Sequence, residues 1–385
     1  MPSASRGRGG RFAASGRRGI AFAPSRSRSI LAAVSPTPSR FKVAAVQEAP
    51  VFLDCAATAA KACDRIARAA AEGAQLVVFP EAFVPAYPDW LWSVPARERG
   101  MLNELYAELL EQSVDVPGPV TEALGQAARQ AGVHVVIGVN ERNVEASGSS
   151  LYNTLLFIGP DGSLLGKHRK LVPTASERLL WAPGDGSTFQ VFDTALGKIA
   201  GLICWENYMP LARYAAYAWG TQIYVAPTWD RGEPWLATLR HIAREGRVFV
   251  IGCCQALRRD DIPDRYAFKR LYPPDRVWIN AGDSAIAGPD GNWIGRPLHE
   301  QQGTIMAEID VRQALGTRWM FDAAGHYARP DVFELTVKRE AHPMVRIIER
   351  DQAPELDGNA PRLVRPTRRR KRAKSIPKRL VRRNR

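Results

Sequence analysis

Short apolar runs alternate with longer amphipathic stretches along the chain from residue 41 onward. The run at 41–47 predicts a β-strand, the alanine-rich stretch at about 56–72 predicts a helix, and residues 75–79 predict a second strand. The same order recurs, with helices expected near 97–112, 120–131, 209–219 and 234–246 and strands at 133–139, 198–203, 222–226 and 247–253. Such β-α-β units predict parallel strands that are connected by helices.

Two Gly-Pro-Asp-Gly sequences, at 159–162 and 288–291, predict hairpin turns within this order. The strands that they would join are 154–158 with 163–169 and 284–287 with 292–294. We therefore predict an α/β fold with a mixed sheet whose helices cover one face, which leaves the other face to pack against a second sheet. From about 310 a short helix precedes a segment rich in aromatic residues and arginine, which either faces a partner or wraps over the same domain.

The net charge of +14 is confined to the two ends of the chain. Residues 1–40 contain eight arginines and no acid, and residues 362–385 contain ten arginines and three lysines, again without an acid. The remaining residues 41–361 therefore carry a net charge of −7. A nucleic acid would bind such tails weakly, non-specifically and with strong salt dependence, so polyanion binding is a distant alternative to a function of the folded body.

The first 40 residues are rich in Arg, Ser, Gly and Pro and are predicted to be disordered, as is the basic tail at 362–385. An arginine- and serine-rich start also fits an organelle transit peptide, although a dispensable extension is the preferred interpretation. The five cysteines show no metal-like or disulfide-like spacing, which favours a reducing compartment, and we expect the cytoplasm. No apolar run approaches the ~18 residues of a membrane span, and no membrane partner is expected.

Three ionisable residues each follow a strand-like run, and together they suit covalent catalysis. Cys204 comes directly after the apolar run 198–203 and before a predicted helix, where a thiol is placed as a nucleophile needs to be. Glu81 follows an apolar run that would raise its pKa by desolvation, so it is the candidate base. Lys170 would donate to a negatively charged intermediate.

Each of these three residues also has a structural interpretation when it is taken alone. A strand-end cysteine usually packs, a glutamate after proline usually lies in a solvated turn, and a lysine in a basic run usually marks a charged edge. Their joint occurrence favours catalysis.

Other chemistry is not favoured by the sequence. Residues 162–168 resemble a phosphate-binding P-loop but lack the Ser or Thr that must follow its lysine. A thiol nucleophile needs neither a metal nor an organic cofactor, so neither is expected.

The sequence runs around these residues resemble the motifs of the nitrilase, or carbon–nitrogen hydrolase, superfamily, whose members carry a Glu-Lys-Cys triad. The matching runs are Phe79-Pro80-Glu81-Ala82-Phe83, His168-Arg169-Lys170-Leu171-Val172-Pro173-Thr174 and Cys204-Trp205-Glu206-Asn207-Tyr208-Met209-Pro210-Leu211. The resemblance covers about 41–335, includes residues 181–187 and 325–333, and favours the nitrilase branch itself. Residues 336–361 would form a C-terminal segment that is available for an interface.

The resemblance implies a four-layer α-β-β-α sandwich and association into homo-oligomers, in some members into spirals. It implies catalysis by Glu81, Lys170 and Cys204, and it suggests Glu141 as a fourth residue that shares the activation of water. A nitrile would become a carboxylic acid and ammonia through a thioimidate and a thioester. Lys170 and the Trp205 N–H would stabilise the negatively charged intermediates.

Aromatic residues close to the triad in sequence predict the nature of the substrate. Tyr87, Trp205 and Trp229 are the expected substrate contacts, and Trp90 and Trp92 add to the aromatic density. This composition favours a hydrophobic or aryl-bearing nitrile, with a place in the core or an interface as the alternative for several of these rings. The leading alternative function is an amidase or another carbon–nitrogen hydrolase of the same superfamily, because the same triad also cleaves amides.

Overall fold

The computed structural model describes residues 39–345 and residue 348. The chain falls into two compact units, Met1–Ala341 and His342–Arg385, and every element below belongs to the first. The predicted basic tail at 362–385 and nearly all of the predicted extension at 1–40 lie outside the described residues. Of the predicted segment 336–361, only residues 336–345 and 348 are described.

Strands and helices follow the predicted order closely. The strands are β1 Arg40–Gln47, β2 Ala74–Val78, β3 His134–Arg142, β4 Leu151–Ile158, β5 Leu164–Arg169, β6 Phe192–Thr194, β7 Gly197–Gly201, β8 Ile223–Thr228, β9 Phe249–Cys254, β10 Ala256–Arg258, β11 Trp278–Ala287, β12 Leu298–His299 and β13 Gly303–Asp310. The α-helices are α1 Cys55–Ala71, α2 Trp90–Ser93, α3 Arg99–Glu111, α4 Pro119–Ala131, α5 Pro210–Ala218, α6 Glu233–Gly246 and α7 Val311–Gly316.

These strands form two mixed sheets. The first has the order β13-β1-β2-β3-β4-β5, in which β1, β2 and β3 are parallel and the other pairs are antiparallel. The second has the order β10-β11-β9-β8-β7-β6, in which β7, β8 and β9 are parallel and β12 pairs with β11. Each sheet therefore has a parallel centre built from β-α-β units, and the predicted site residues Glu81 and Cys204 follow the carboxyl ends of β2 and β7 in those centres.

The alternation of side chains along β1 shows how the layers are stacked. Val43 and Ala45 pack in the apolar core between the two sheets, which also contains Val225 and Ile251 of the second sheet. Their neighbours along β1, Ala44 and Val46, point to the opposite face and pack against α1 and α4. A strand that is buried on both faces reads as a continuous apolar run, which is how it appears in the sequence.

The second sheet is covered in the same way on its outer face. Tyr224 of β8 and Val250 of β9 pack there against Ala215 of α5 and against Leu239 and Ile242 of α6. Helices therefore cover the outside of each sheet and the inner faces meet. This confirms the predicted four-layer α-β-β-α sandwich.

Both predicted hairpins are confirmed, the second as a short and interrupted one. The turn at 159–162 joins β4 to β5, which pair antiparallel. After the turn at 288–291, Ala287 bridges Trp293 in antiparallel fashion, and the Ile294 N–H donates to the Ile286 carbonyl oxygen at 2.8 Å. Gly295, in a left-handed conformation with φ 82°, and Pro297 then interrupt the pairing, which resumes where β12 pairs with β11.

The segment that follows α7 wraps over the outer helical layer. Ala324, Leu335 and Val337 pack against the core between α5, α6 and the second sheet. The interpretation of this segment as a wrap over its own domain is thus confirmed for these residues. Among the described residues, no helix has both the length and the apolar character that a bilayer crossing requires.

Candidate active site

Cys204 lies in a tight turn and is the third residue after β7. It begins a 3₁₀ turn, Cys204–Tyr208, and its backbone has φ 52°, in the left-handed region. The turn is held by Asn207, whose side-chain amide donates to the carbonyl oxygens of Leu202 at 3.0 Å and Cys204 at 2.8 Å. A non-glycine residue in this conformation costs about 1–3 kcal/mol, and such strain is concentrated at functional sites. The sharp turn after the strand, predicted from the sequence, is confirmed.

Lys170 immediately follows β5, and its side chain is fully buried between two carboxylates. Its Nζ donates to Glu81 Oε1 at 2.7 Å and to Glu177 Oε2 at 2.7 Å. An ammonium has three N–H donors, so one remains for a ligand after these two bonds. The geometry joins the predicted Glu81 and Lys170 in one buried cluster.

The two oxygens of the Glu81 carboxylate differ in their surroundings. Oε1 accepts from Lys170 and also from the Asn153 amide at 2.7 Å. Oε2 is buried and has no hydrogen-bond partner among the described residues. The Gln255 amide fixes the backbone by donating to the Glu81 carbonyl oxygen at 2.8 Å. This arrangement leaves one oriented oxygen lone pair free to accept a proton.

The charges in the cluster keep the resting thiol protonated. Burial, and then the negative charge of Glu81, raise the pKa of Cys204, and the nearby Lys170 opposes this shift only in part. Burial also raises the pKa of Glu81, against the effect of Lys170. Burial disfavours the ammonium of Lys170, but the negative charges around it hold its pKa above the ordinary value. A neutral thiol beside a carboxylate with a raised pKa is suited to proton transfer during attack rather than before it.

Glu177 is the functional candidate that the sequence reasoning missed. Its Oε1 accepts from the Tyr87 hydroxyl at 2.7 Å, and its Oε2 accepts from Lys170 and from the Thr174 backbone N–H at 2.7 Å. Thr174-Ala175-Ser176-Glu177 has the Thr-x-x-Glu spacing of a capping box, which was a readable signal for a turn. That the carboxylate also reaches the buried ammonium is decided by the tertiary structure.

Glu141 lies outside this cluster. Its carboxylate accepts from Lys167 at 2.5 Å, from Arg169 at 2.7 Å and 3.0 Å, and from the Thr154 hydroxyl at 2.7 Å. Successive side chains of a strand point to opposite faces, so Lys167 and Arg169 share one face of β5 while Lys170 continues the other. Glu141 therefore meets the face of β5 that does not carry the ammonium. A direct part for Glu141 in water activation stays a prediction.

Glu206 links two backbone segments through its carboxylate: Leu171, directly after Lys170, and Ile203, directly before Cys204. Its Oε1 accepts from the Leu171 N–H at 2.7 Å, and its Oε2 accepts from the Ile203 N–H at 2.7 Å. The buried His168 Nε2 lies 3.1 Å from Oε2. Burial opposes the charge of Glu206, but these hydrogen bonds hold its pKa below the ordinary value. The carboxylate thus fixes the spacing of the two segments.

A cavity of about 670 Å³ opens onto the thiol. Its lining includes Cys204, Glu177 and the aromatic side chains Tyr87, Trp92, Trp205, Trp229 and Tyr272. The three predicted substrate contacts are therefore on the cavity wall, where the rings of Tyr87 and Trp229 stack with centroids 4.4 Å apart. Trp90 instead packs in the core against Phe52 and Phe268. The volume suits a small organic molecule.

No group of three or more His, Cys, Asp or Glu side chains within the described part of the chain is arranged to hold a metal ion. The cavity presents the Cys204 thiol and aromatic walls, and behind them the charges of the buried Glu81 carboxylate and Lys170 ammonium act on that thiol. This set can add a sulfur nucleophile to an electrophilic carbon, move its proton and stabilise the resulting anion.

Comparison with known proteins places this site in a family context. The carbon–nitrogen hydrolase family profile matches residues 42–318. An aliphatic nitrilase of Sinorhizobium fredii is 44% identical over 305 residues, which are 78% of this chain and 97% of that protein. A bifunctional nitrilase/nitrile hydratase of Lupinus angustifolius is 44% identical over 300 residues, which are 76% of this chain and 84% of that protein. A carbon–nitrogen hydrolase structure from Helicobacter pylori shares the fold with a TM-score of 0.59 and 18% identity, covering 77% of this chain and 98% of that chain.

Proposed function

This chain belongs to the carbon–nitrogen hydrolase family, and from that premise we propose that it is a nitrilase, which converts an organic nitrile to the carboxylic acid and ammonia. The observation that carries the proposal is the Cys204 thiol, which opens onto an aromatic-walled cavity and is close enough to the buried Glu81–Lys170 pair for both charges to act on it. The relatives described above as nitrilases span most of this chain at 44% identity.

In the first stage, the Cys204 sulfur forms a bond to the nitrile carbon while Glu81 Oε2 accepts the thiol proton. The nitrile nitrogen takes up negative charge and then that proton, so that S–H has added across the triple bond and a thioimidate results. Lys170 holds one N–H free for this nitrogen. An ammonium that is already fixed in a water-poor site stabilises such developing charge without reorganising.

In the second stage, a water molecule gives a proton to Glu81 and adds to the thioimidate carbon. The tetrahedral intermediate loses ammonia, and a thioester remains on Cys204. A second water molecule, activated in the same way, breaks the C–S bond and releases the acid and the thiol. Two water molecules are consumed for each nitrile. Glu177 keeps Lys170 in position throughout, since it accepts a hydrogen bond from the ammonium.

The tetrahedral intermediate also offers a second outcome. If the C–S bond breaks before the C–N bond, the product is the amide and only one water molecule is consumed. The Lupinus angustifolius relative is described as bifunctional for these two reactions. The acid and the amide must therefore both be quantified in any assay of this chain.

The first experiment measures ammonia, acid and amide from a panel of nitriles and their matching amides with the full chain. We expect nitrile-dependent ammonia that falls about a thousandfold or more in Cys204→Ala, because the nucleophile is lost. Cys63→Ala is the matched control, since this half-buried thiol lies on α1. Turnover of amides alone would move the protein to the amidases. Activity of Cys204→Ala close to wild type would refute the assignment.

We also propose that the enzyme works in a reducing compartment, the cytoplasm, as a homo-oligomer. All five cysteines are free thiols. Leu211, Tyr327, Val332 and Phe333 are exposed apolar side chains that line one groove beside α5. Exposed apolar surface of this kind marks interaction sites. Sedimentation of the purified chain as a monomer at micromolar concentration would contradict the oligomer.

A further inference from the structure

The cavity that holds Cys204 is lined by two arginines as well as by aromatic rings. Arg231 follows β8 and Arg276 precedes β11, and both side chains are exposed. Neither guanidinium forms an ion pair with any residue that the structure describes. The cavity is therefore not a purely apolar aryl site. It also has a cationic part, in which the charges of both arginines act on the nearby Asp89 without a direct ion pair.

Arg276 is held in a fixed position by its own strand. Its Nε donates to the Trp278 carbonyl oxygen at 3.0 Å, and its Nη2 donates to the Ile279 carbonyl oxygen at 3.2 Å. The guanidinium also lies 5.8 Å from the centre of the Tyr272 ring. A guanidinium has five N–H donors, so three remain after these two bonds. A positioned guanidinium with spare donors matches the planar geometry of a carboxylate.

The acidic side chains of the same cavity are already occupied by protein donors. Asp89 accepts from the Trp229 indole N–H at 3.1 Å and from the Tyr272 hydroxyl at 2.5 Å. Asp230 accepts from the Trp205 indole N–H at 2.9 Å. Both oxygens of Glu177 are bonded, as described above. The acceptor oxygens of these carboxylates are thus used by donors of the wall, while the two guanidinium groups keep unused N–H donors.

From this imbalance we propose that the nitrile substrate carries a carboxylate, which Arg231 and Arg276 bind while the aromatic walls hold an apolar body. The substrate class is a cyano-carboxylic acid, with the nitrile at Cys204 and the carboxylate at the arginines. The inference rests on the proposed nitrilase function and refines the expectation of a hydrophobic or aryl-bearing nitrile. The apolar body still explains the stacked Tyr87 and Trp229.

The test compares three para-substituted benzonitriles that differ in charge: 4-cyanophenylacetate, its methyl ester and 4-(aminomethyl)benzonitrile. We expect kcat/KM to fall in the order anion, neutral ester, cation, with about tenfold or more between the first two, as for hydrogen bonds to a charged group. The preference for the anion should shrink as salt is raised from 20 mM to about 500 mM, because salt screens exposed charges.

Arginine variants identify the residues responsible. Arg231→Gln and Arg276→Gln should each lower kcat/KM for the anion about tenfold, through KM, and leave the ester within about twofold. Arg270→Gln is the matched control, since Arg270 is exposed and does not line the cavity. All three variants should unfold at the wild-type temperature, because the side chains are at the surface.

The outcomes separate the two proposals. Equal turnover of the ester and the anion, or faster turnover of the cation, would overturn the carboxylate inference while nitrile-dependent ammonia still supports the nitrilase. Arginine variants that treat the anion as wild type does would overturn it as well. If one variant failed to fold, the other variant and the wild-type charge series would still decide. Absence of ammonia from every nitrile in this series and in the wider panel would refute the proposed function itself.

Discussion

Replacing Lys170 by methionine tests whether the ammonium is the charge that makes the buried cluster stable. The change keeps the length of the side chain and removes its charge and its donors. Glu81 Oε1 and Glu177 Oε2, each 2.7 Å from Nζ in the wild type, are then left facing one another without a cation. Both carboxylates are at most 1% exposed, so water cannot replace the ammonium.

Breaking a buried ion pair by removing one partner costs about 3–5 kcal/mol, because the other charge stays buried without compensation. We expect this loss in the free energy of unfolding of Lys170→Met at pH 8. Adding Glu177→Gln removes one of the two carboxylates and should recover part of the loss. Lys269→Met is the control: Lys269 is 10% exposed, but its partner Asp264 is 96% exposed, and pairs with a solvated partner contribute about 1 kcal/mol or less.

The loss should depend on pH with a definite sign. Burial raises the pKa of Glu81 above its ordinary value of 4.5, and without the ammonium the shift is larger. The folded variant then binds more protons than the unfolded chain, so its stability falls as pH rises from about 4.5 towards the folded pKa. The deficit relative to wild type should therefore be smaller at pH 5 than at pH 8.

Urea unfolding at fixed protein concentration, followed by tryptophan fluorescence, measures these differences. Far-ultraviolet circular dichroism serves as the second probe of a two-state transition. If the free energy of unfolding of Lys170→Met were within about 0.5 kcal/mol of the wild-type value at both pH values, the reasoning would be refuted, because a buried charge without a partner destabilises a fold by more than that.

Two further changes follow from the geometry. Glu206→Gln would place an amide NH₂ against the backbone N–H of Leu171 or Ile203, so that one hydrogen bond is replaced by two opposed donors. In steady-state assays of ammonia release we expect kcat to fall at least tenfold, with KM within about threefold of wild type. An unchanged kcat would exclude a positioning role for Glu206. For Glu141, burial opposes the charged form, but Arg169 and Lys167 hold its pKa below the ordinary value of 4.5. Glu141→Gln should therefore destabilise the fold most above pH 4.5, and the loss should shrink as pH falls from 4.5 through the lower folded pKa, with kcat retained. A selective loss of kcat in rapid kinetics would instead support its sequence-based role.

The local pattern of the sequence was sufficient to predict most of the elements. β1, α1 and β2 lie within one or two residues of the predicted bounds, because a strand buried on both faces and an alanine-rich amphipathic helix are visible over short windows. The resemblance supplied the four-layer sandwich, whose two sheets meet through residues far apart in sequence. The hairpin around 288–291 is shorter than a regular one, since Gly295 and Pro297 interrupt its second strand before β12.

The candidate nucleophile, base and ammonium were visible in the sequence because each follows a strand-like run within a recognisable motif. What the tertiary structure decided is which carboxylate joins them. Glu141 and Glu177 are both glutamates close to Lys170 in the chain or the sheet, and no local pattern separates them. Side chains alternate between the two faces of β5, so Glu141 meets Arg169 on one face, while the turn at 175–179 brings Glu177 to the ammonium of Lys170.

The tertiary structure also decided the character of the cavity. The sequence by itself pointed to aromatic residues, since Tyr87 and Trp205 lie near the triad along the chain. Arg276, which is 72 positions from Cys204, reaches the same cavity only because β11 lies beside β9 in the second sheet. The order of the strands in a sheet brings together loops that are far apart in the sequence. The sequence by itself therefore determined the chemistry of the reacting groups, and the fold determined which other groups surround the substrate.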